Sequence, residues 1–182
     1  NDLLLNISYN LDTLNLGKEK NPFRSSIRVK LPHKITDTMK LRQSFIRKII
    51  NNKISYLSSK NNNSYIYTNT SSLGKYTISR DTLKPEIEPI NFKNNSIIKG
   101  INTLRLRIKD ELSGIKSYSG YLNGNWALFE YEPKSNLIFH DLSDGIIKNG
   151  ENELIIKFED GVGNKGLYKS KLYYWLRINK FF

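Results

Sequence analysis

Between Asn102 and Glu132 the chain has few conformational choices. Leu104, Leu106 and Ile108 alternate with Arg105, Arg107 and Lys109, a period of two that suits a β-strand with one buried face. Asp110-Glu111-Leu112-Ser113-Gly114 breaks the alternation with glycine and short polar side chains that bond their own backbone. Ile115 to Leu122 resumes a strand. Asn123-Gly124 follows, and this pair is the strongest short hairpin signal because a type I′ turn needs positive φ at both central residues. Trp126, Leu128 and Tyr131 belong to the returning strand. The stretch therefore predicts a twisted antiparallel meander with one buried face.

The rest of the chain keeps the same rhythm. In the second half, strands are expected at Glu86–Phe92, Asn102–Lys109, Ile115–Leu122, Trp126–Tyr131, Asn136–Asp141, Asn152–Phe158 and Leu167–Leu176. Short strands at this spacing, separated by turn signals such as Asp144-Gly145, Asn149-Gly150 and Asp160-Gly161, are the pattern of an immunoglobulin-like sandwich. In the first half, residues 3–9, Asp12–Leu16, Ser26–Leu31, Ile54–Leu57, Tyr65–Asn69 and Leu73–Arg80 read as strands. Residues 33–50 partly fit a helical period, and Asp37 is placed to cap a helix. No Glu or Gln follows it to complete a capping box, and the β-branched run Phe45–Ile50 favours a short turn and then a strand. Pro85 and Pro89 keep the chain extended and remove two ladder donors, which marks a boundary at residues 81–85. The expected fold is all-β, two tandem immunoglobulin-like β-sandwich domains, residues 1–82 and 83–182.

Charge divides along the same line. Of the formal net charge of +12, residues 1–82 hold 14 Lys+Arg against 5 Asp+Glu and residues 83–182 hold 15 against 12. A basic first half can attract a polyanion, but its cations are scattered along strands, which fits a solvated surface better. No nucleic-acid partner is expected, since neither a helix-turn-helix nor a basic strand set interleaved with aromatics stands out. With no cysteine in the chain, disulfides, thiolate zinc sites and cysteine nucleophiles are excluded. No run of about 20 apolar residues is present, so no transmembrane helix is expected. The N-terminus lacks the basic region of a signal peptide and reads as a strand, as if the chain began partway through a longer protein.

Candidate chemistry is sparse. The turns Asp110-x-x-Ser-Gly and Asp160-x-x-Gly-Asn place carboxylates just after strands. Asp110, Asp160 and Asn164, with Glu111, could supply oxygen ligands to calcium if their loops meet at one end of the sandwich. The simpler reading is that each carboxylate caps its own turn while glycine takes positive φ, and Lys109, Lys116 and Lys165 oppose a cation there. His33 and His140 are the only histidines, too few for a catalytic zinc with three protein ligands. Glu130 and Glu132 share one strand face and could flank a sugar, although pairing with Lys or Arg accounts for them more simply. Tyr173-Tyr174-Trp175 and Phe181-Phe182 form an aromatic end. Tyr174 fits the core of the last strand, while Trp175, Phe181 and Phe182 are candidates for partner docking. No residue qualifies as catalytic.

Three segments carry a family resemblance: DTLKPEIEPINF (81–92), LRLRIKDELSGIKSYSGYLNGNWALFEYE (104–132) and NELIIKFEDGVGN (152–164). Residues 81–175 resemble the C-terminal immunoglobulin-like module that follows the catalytic domain in bacterial envelope proteins of the peptidase M23 (lysostaphin-like metalloendopeptidase) family. Residues 1–80, through DTLNL, SIRVKLP and SSLGKYTISRDT, are similar to the preceding sandwich. That family cleaves peptide crosslinks of peptidoglycan with a zinc-bound water held by H-x(3)-D and H-x-H motifs, and neither motif occurs in this sequence. The resemblance therefore implies an accessory segment with no cofactor of its own, any zinc belonging to a catalytic domain before Asn1. It implies a periplasmic or outer-membrane-associated location in the bacterial cell envelope. It implies as partners other envelope proteins, the chain's own upstream peptidase domain, or peptidoglycan. The parent is then either an active zinc endopeptidase or a scaffold that has lost its metal ligands.

Overall fold

A computed structural model describes residues 7–10, 13–17, 24–50 and 53–175. The fold is all-β, two tandem immunoglobulin-like β-sandwiches, as the alternation predicts. By its internal contacts the chain divides into two units, Asn1–Leu83 with Gly161–Gly163, and Lys84–Asp160 with Asn164–Phe182. Among the described residues no helix is long and apolar enough to cross a membrane.

The first unit contains β1 (Ile7–Asn10), β2 (Thr13–Leu16), β3 (Ile27–Pro32), α1 (Thr38–Arg42), β4 (Ser44–Ile50), β5 (Lys53–Leu57), β6 (Lys60–Asn61), β7 (Tyr65–Thr70) and β8 (Gly74–Arg80). One sheet runs β1-β2-β8-β4-β5 and the other β3-β7-β6. Val29, Leu31 and Ile66 of the smaller sheet pack with Leu16, Ile46 and Tyr76 of the larger. Each such fully buried aliphatic side chain contributes about 1.5–3 kcal/mol. The turn expected before β4 is a one-turn helix. Asp37 Oδ1 accepts the N–H groups of Met39 and Lys40 at 2.8 and 2.9 Å, so a single carboxylate holds the turn without the Glu or Gln of a full capping box. Behind β4 a polar cluster is closed by hydrogen bonds. Lys48, although buried, donates from Nζ to Ser72 Oγ at 2.7 Å, and the Tyr76 hydroxyl donates to the Ser72 carbonyl.

The second unit contains β9 (Glu86–Pro89), β10 (Ser96–Ile97), β11 (Thr103–Lys109), β12 (Ile115–Leu122), β13 (Asn125–Ala127), β14 (Glu130–Glu132), β15 (Leu137–Asp141), a 3₁₀ turn (Leu142–Asp144), β16 (Gly150–Asp160) and β17 (Lys165–Tyr174). Its five-stranded sheet runs β10-β17-β16-β12-β13 and its four-stranded sheet β14-β15-β11-β9. The core forms between them. Leu104, Leu106, Ile108 and Ile138 of one sheet meet Leu122, Leu154, Ile156 and Leu172 of the other, all 0 % exposed. Asn123 and Gly124 take φ of 55° and 78°, the backbone a type I′ hairpin requires.

The strand expected at Trp126–Tyr131 is two strands in different sheets. β13 pairs with β12, and β14 pairs with β15. Phe129 fixes the crossover between them. Its ring stacks on His140 at 5.0 Å between centroids, its carbonyl accepts the Tyr118 hydroxyl at 2.8 Å, and its edge lies directly over Gly120. A Cβ on Gly120 would sit 2.2 Å from the Phe129 ring, a distance no pair of carbon atoms tolerates. Gly120→Ala is therefore expected to lower the stability of this unit by about 1–3 kcal/mol, read as a shift of the urea midpoint. Phe129→Leu in the same background is expected to recover part of the loss, and an unchanged midpoint for Gly120→Ala would show that Phe129 does not pin the crossover.

Candidate functional site

Strand parity places the candidate site on the outer face of the five-stranded sheet of the second unit. Along β16 the even positions Leu154, Ile156 and Phe158 are buried, so Ile155, Lys157 and Glu159 face outward. Pairing register extends that face in rows across the sheet. Trp126 opposes Tyr121, Tyr121 opposes Ile155, and Ile155 opposes Lys169. In the next row Ser119 opposes Lys157 and Lys157 opposes Leu167. Trp126 is 61 % exposed and Leu167 57 %, large apolar surfaces left in water on a sheet whose other face is fully packed.

The polar groups of this face are arranged around the aromatic pair. Lys157 Nζ stands 5.0 Å over the Tyr121 ring, a diagonal cross-strand contact with cation–π character. Beside it, Ser117, Ser119, Lys157, Glu159, Lys165 and Leu167 line a shallow trough of about 590 Å³. Glu159 accepts Lys116 at 2.7 Å, with Lys165 at 4.0 Å. Glu151 takes Lys171 at 2.8 Å and Tyr173 at 3.0 Å. Among the described residues, Lys157 and Lys169 have no carboxylate within ion-pair distance. Neither Trp126, Tyr121 nor Lys157 stood out in the sequence as a site residue. The signal was the parity of β16, which assigns Ile155 and Lys157 to solvent once Leu154 and Ile156 are core.

The calcium candidates come together at the other feature of this unit, its turn end. Asp110 and Asp160 carry carboxylate oxygens within 4.8 Å of each other. Each carboxylate holds its own turn. Asp110 Oδ1 accepts the N–H groups of Leu112, Ser113 and Gly114 at 3.1, 2.7 and 2.8 Å. Asp160 accepts the Asn164 N–H at 2.8 Å and its side-chain amide at 2.7 Å, while its own N–H donates to the Asn164 carbonyl at 3.1 Å. Glu111 instead pairs with Lys109 at 3.7 Å. Calcium asks for six to eight oxygens, whereas these lone pairs already close two loops. Asp160→Ala removes the carboxylate that accepts the Asn164 N–H and side-chain amide in a buried site and is expected to cost about 2–3 kcal/mol. Millimolar Ca²⁺ is expected to leave the Tm of the unmodified chain unchanged, and a Tm raised by Ca²⁺ and reversed by chelation would overturn the cap reading.

The histidines are structural. His33 Nδ1 accepts the Ile35 N–H at 3.1 Å and its Nε2 bonds the Asn62 carbonyl at 2.8 Å. His140, 2 % exposed, places Nδ1 2.8 Å from the Leu128 carbonyl. Its Nε2 lies 3.5 Å from Asp144 Oδ2 without making a hydrogen bond. Of the docking candidates, Trp175 is 62 % exposed past the end of β17, beside a cleft of about 790 Å³ lined by Ile97, Ile101 and Tyr174. Phe181 and Phe182 lie outside the described residues.

Three exposed carboxyls are held below their ordinary range, Asp37 by the Lys40 N–H, Asp141 by the Ser143 N–H and Glu151 by the Lys171 ammonium. A depressed folded value means that the unfolded chain binds protons first, so this stability is complete above the unfolded value and is lost as pH falls through the folded one. The Tm is expected to fall as pH drops below about 4, and less steeply in Asp141→Asn. An equal slope in that variant would show that Asp141 does not contribute.

No protein-family profile matches the chain, and no curated protein matches it. Solved structures with a partial likeness include an endo-β-1,4-mannanase from Thermotoga petrophila, at 16 % identity and a TM-score of 0.44 over 52 % of this chain and 20 % of that one. The chain thus spans about a fifth of the mannanase's length. A chimeric titin Z1Z2 tandem and the titin tandem A164–A165 match at 9 % and 8 % identity, each with a TM-score of 0.34 over 87 % of this chain, covering 99 % and 96 % of theirs.

Proposed function

We propose that this chain is a non-catalytic docking segment of a bacterial cell-envelope protein, and that its second sandwich engages a partner through the outer face of its five-stranded sheet. One observation carries the reading: Trp126 stands 61 % exposed beside Tyr121, on a face where the sandwich gains nothing by placing it. Several of the acidic and imidazole groups that hydrolysis could use are engaged otherwise. Asp110 and Asp160 cap turns, Glu88 and Glu159 sit in ion pairs, and His140 is sealed under Phe129.

The envelope setting is supported by the resemblance of residues 81–175 to the module that follows the M23 catalytic domain. On that reading the chain sits in the periplasm or at the outer membrane, where it positions a zinc peptidase domain or docks a larger envelope assembly. Peptidoglycan binding is a second reading, favoured by the polar trough beside the aromatic pair. The test is incubation of the 182-residue chain with purified sacculi, with and without added Zn²⁺. No release of soluble muropeptides is expected in either case, and zinc-dependent release would overturn the non-catalytic reading.

A further inference from the structure

We propose that the face formed by Trp126, Tyr121, Lys157, Lys169 and the adjoining trough is a binding site for an acidic polysaccharide, one whose sugars carry carboxylates at intervals along a neutral ring backbone. The proposal rests on the reading of the second sandwich as a binding module and gives that module a ligand class.

The shape of the face fits an extended chain. The row Trp126–Tyr121–Ile155–Lys169 crosses four adjacent strands, three inter-strand steps of about 4.8 Å, or roughly 14 Å in all. It adjoins a trough of about 590 Å³ lined in part by Ser119 and Lys157, within the range of small-ligand sites. Trp126 supplies an exposed aromatic surface for a sugar ring, beside the Tyr121 ring that Lys157 covers. A pyranose presents faces of weakly positive C–H groups, and these complement the negative π-face of the indole. Ser117 and Ser119 add hydroxyls that both donate and accept, which suits a ligand bearing many hydroxyls of its own.

Charge decides among the possible ligands. Lys157 and Lys169 are cations without a carboxylate in ion-pair distance among the described residues, one on each side of Ile155 and Leu167. They stand diagonal to one another on the adjacent strands β16 and β17. The same face also carries Glu151, Glu153 and Glu159. Glu159 is paired with Lys116 and Lys165 and Glu151 with Lys171, so the face mixes both signs; that suits a sparsely charged polymer better than one with a phosphate at every step and breaks up the apolar band that a lipid surface would need. A polymer with sparse carboxylates and abundant hydroxyls satisfies both sets, its carboxylates on the lysines and its hydroxyls on the glutamates and serines.

The experiment is isothermal titration of the 182-residue chain with oligomers of alginate, polygalacturonate and hyaluronate, alongside neutral mannan oligomers, single-stranded DNA and phosphatidylglycerol vesicles. Binding to at least one acidic oligosaccharide is expected, weakened by salt and at least about tenfold tighter than to mannan, DNA or vesicles. Trp126→Ala is expected to weaken it by about tenfold, the scale of one aromatic stacking contact. Lys157→Gln with Lys169→Gln is expected to reduce its salt dependence, and Tyr65→Ala, an exposed aromatic of the first unit, to leave it unchanged. Circular dichroism melts of each variant separate lost binding from lost folding. Binding to none of the acidic oligomers, equal binding to mannan, or equal losses in Trp126→Ala and Tyr65→Ala would overturn the proposal. Tighter binding to DNA or vesicles would replace it with those partners. Each of these failures leaves the non-catalytic reading standing, which fails instead by zinc-dependent release of muropeptides from sacculi.

Discussion

The second sandwich depends on the packing of one ring. Phe129 lies over the bare backbone of Gly120, stacks on His140 and anchors the Tyr118 hydroxyl through its own carbonyl. These contacts tie β12 of one sheet to β15 of the other at the point where the chain passes between them. Without a side chain at position 120 the ring can approach the strand, and with it the two sheets close on a continuous core of Leu104, Leu106, Leu122 and Ile156. A buried aromatic ring of this kind dominates its local packing energy, so the crossover is a structural hinge pin as much as a connection.

The exposed face follows from that pin. Because Ala127 and Phe129 turn inward, Trp126 and Leu128 turn outward, at 61 % and 56 % exposure. The Asn123-Gly124 turn fixes the register that sets Trp126 against Tyr121, and Lys157 settles on the Tyr121 ring from the next strand. The apolar face is thereby edged with cations and hydroxyls rather than buried against a third layer. The carboxylates at the turn end serve the opposite purpose. Asp110 and Asp160 satisfy backbone donors that would otherwise be left open where strands stop, and so they hold the loops instead of presenting chemistry.

Much of this was legible in the residues. The period of two in Leu104–Lys109 and the Asn-Gly pair determine strands and turn by local sterics, and the fold class follows from their repetition. The division of Trp126–Tyr131 between two sheets was not legible, because Trp126 and Leu128 continue an unbroken alternation and the choice of sheet is made by a distant contact, Phe129 on Gly120. The helix Thr38–Arg42 was read as a plain turn because its β-rich neighbours outweighed the Asp37 cap. At the candidate site the aromatic residues of a strand read equally as core or as surface. Only the parity of β16, with Leu154 and Ile156 inward, assigns Tyr121 and Lys157 to solvent, and that parity gains meaning once the register between strands is known.

The account stands on the claim that the outer face of the five-stranded sheet is where this protein meets its ligand. A ¹⁵N chemical-shift titration of the chain with acidic oligosaccharide tests it residue by residue. The account predicts perturbations at the Trp126 indole and along residues 117–121, 155–159 and 165–169, with the β9–β11–β15 sheet silent. Perturbations confined to that silent sheet, or a Trp126 indole that does not move at saturation, would contradict it.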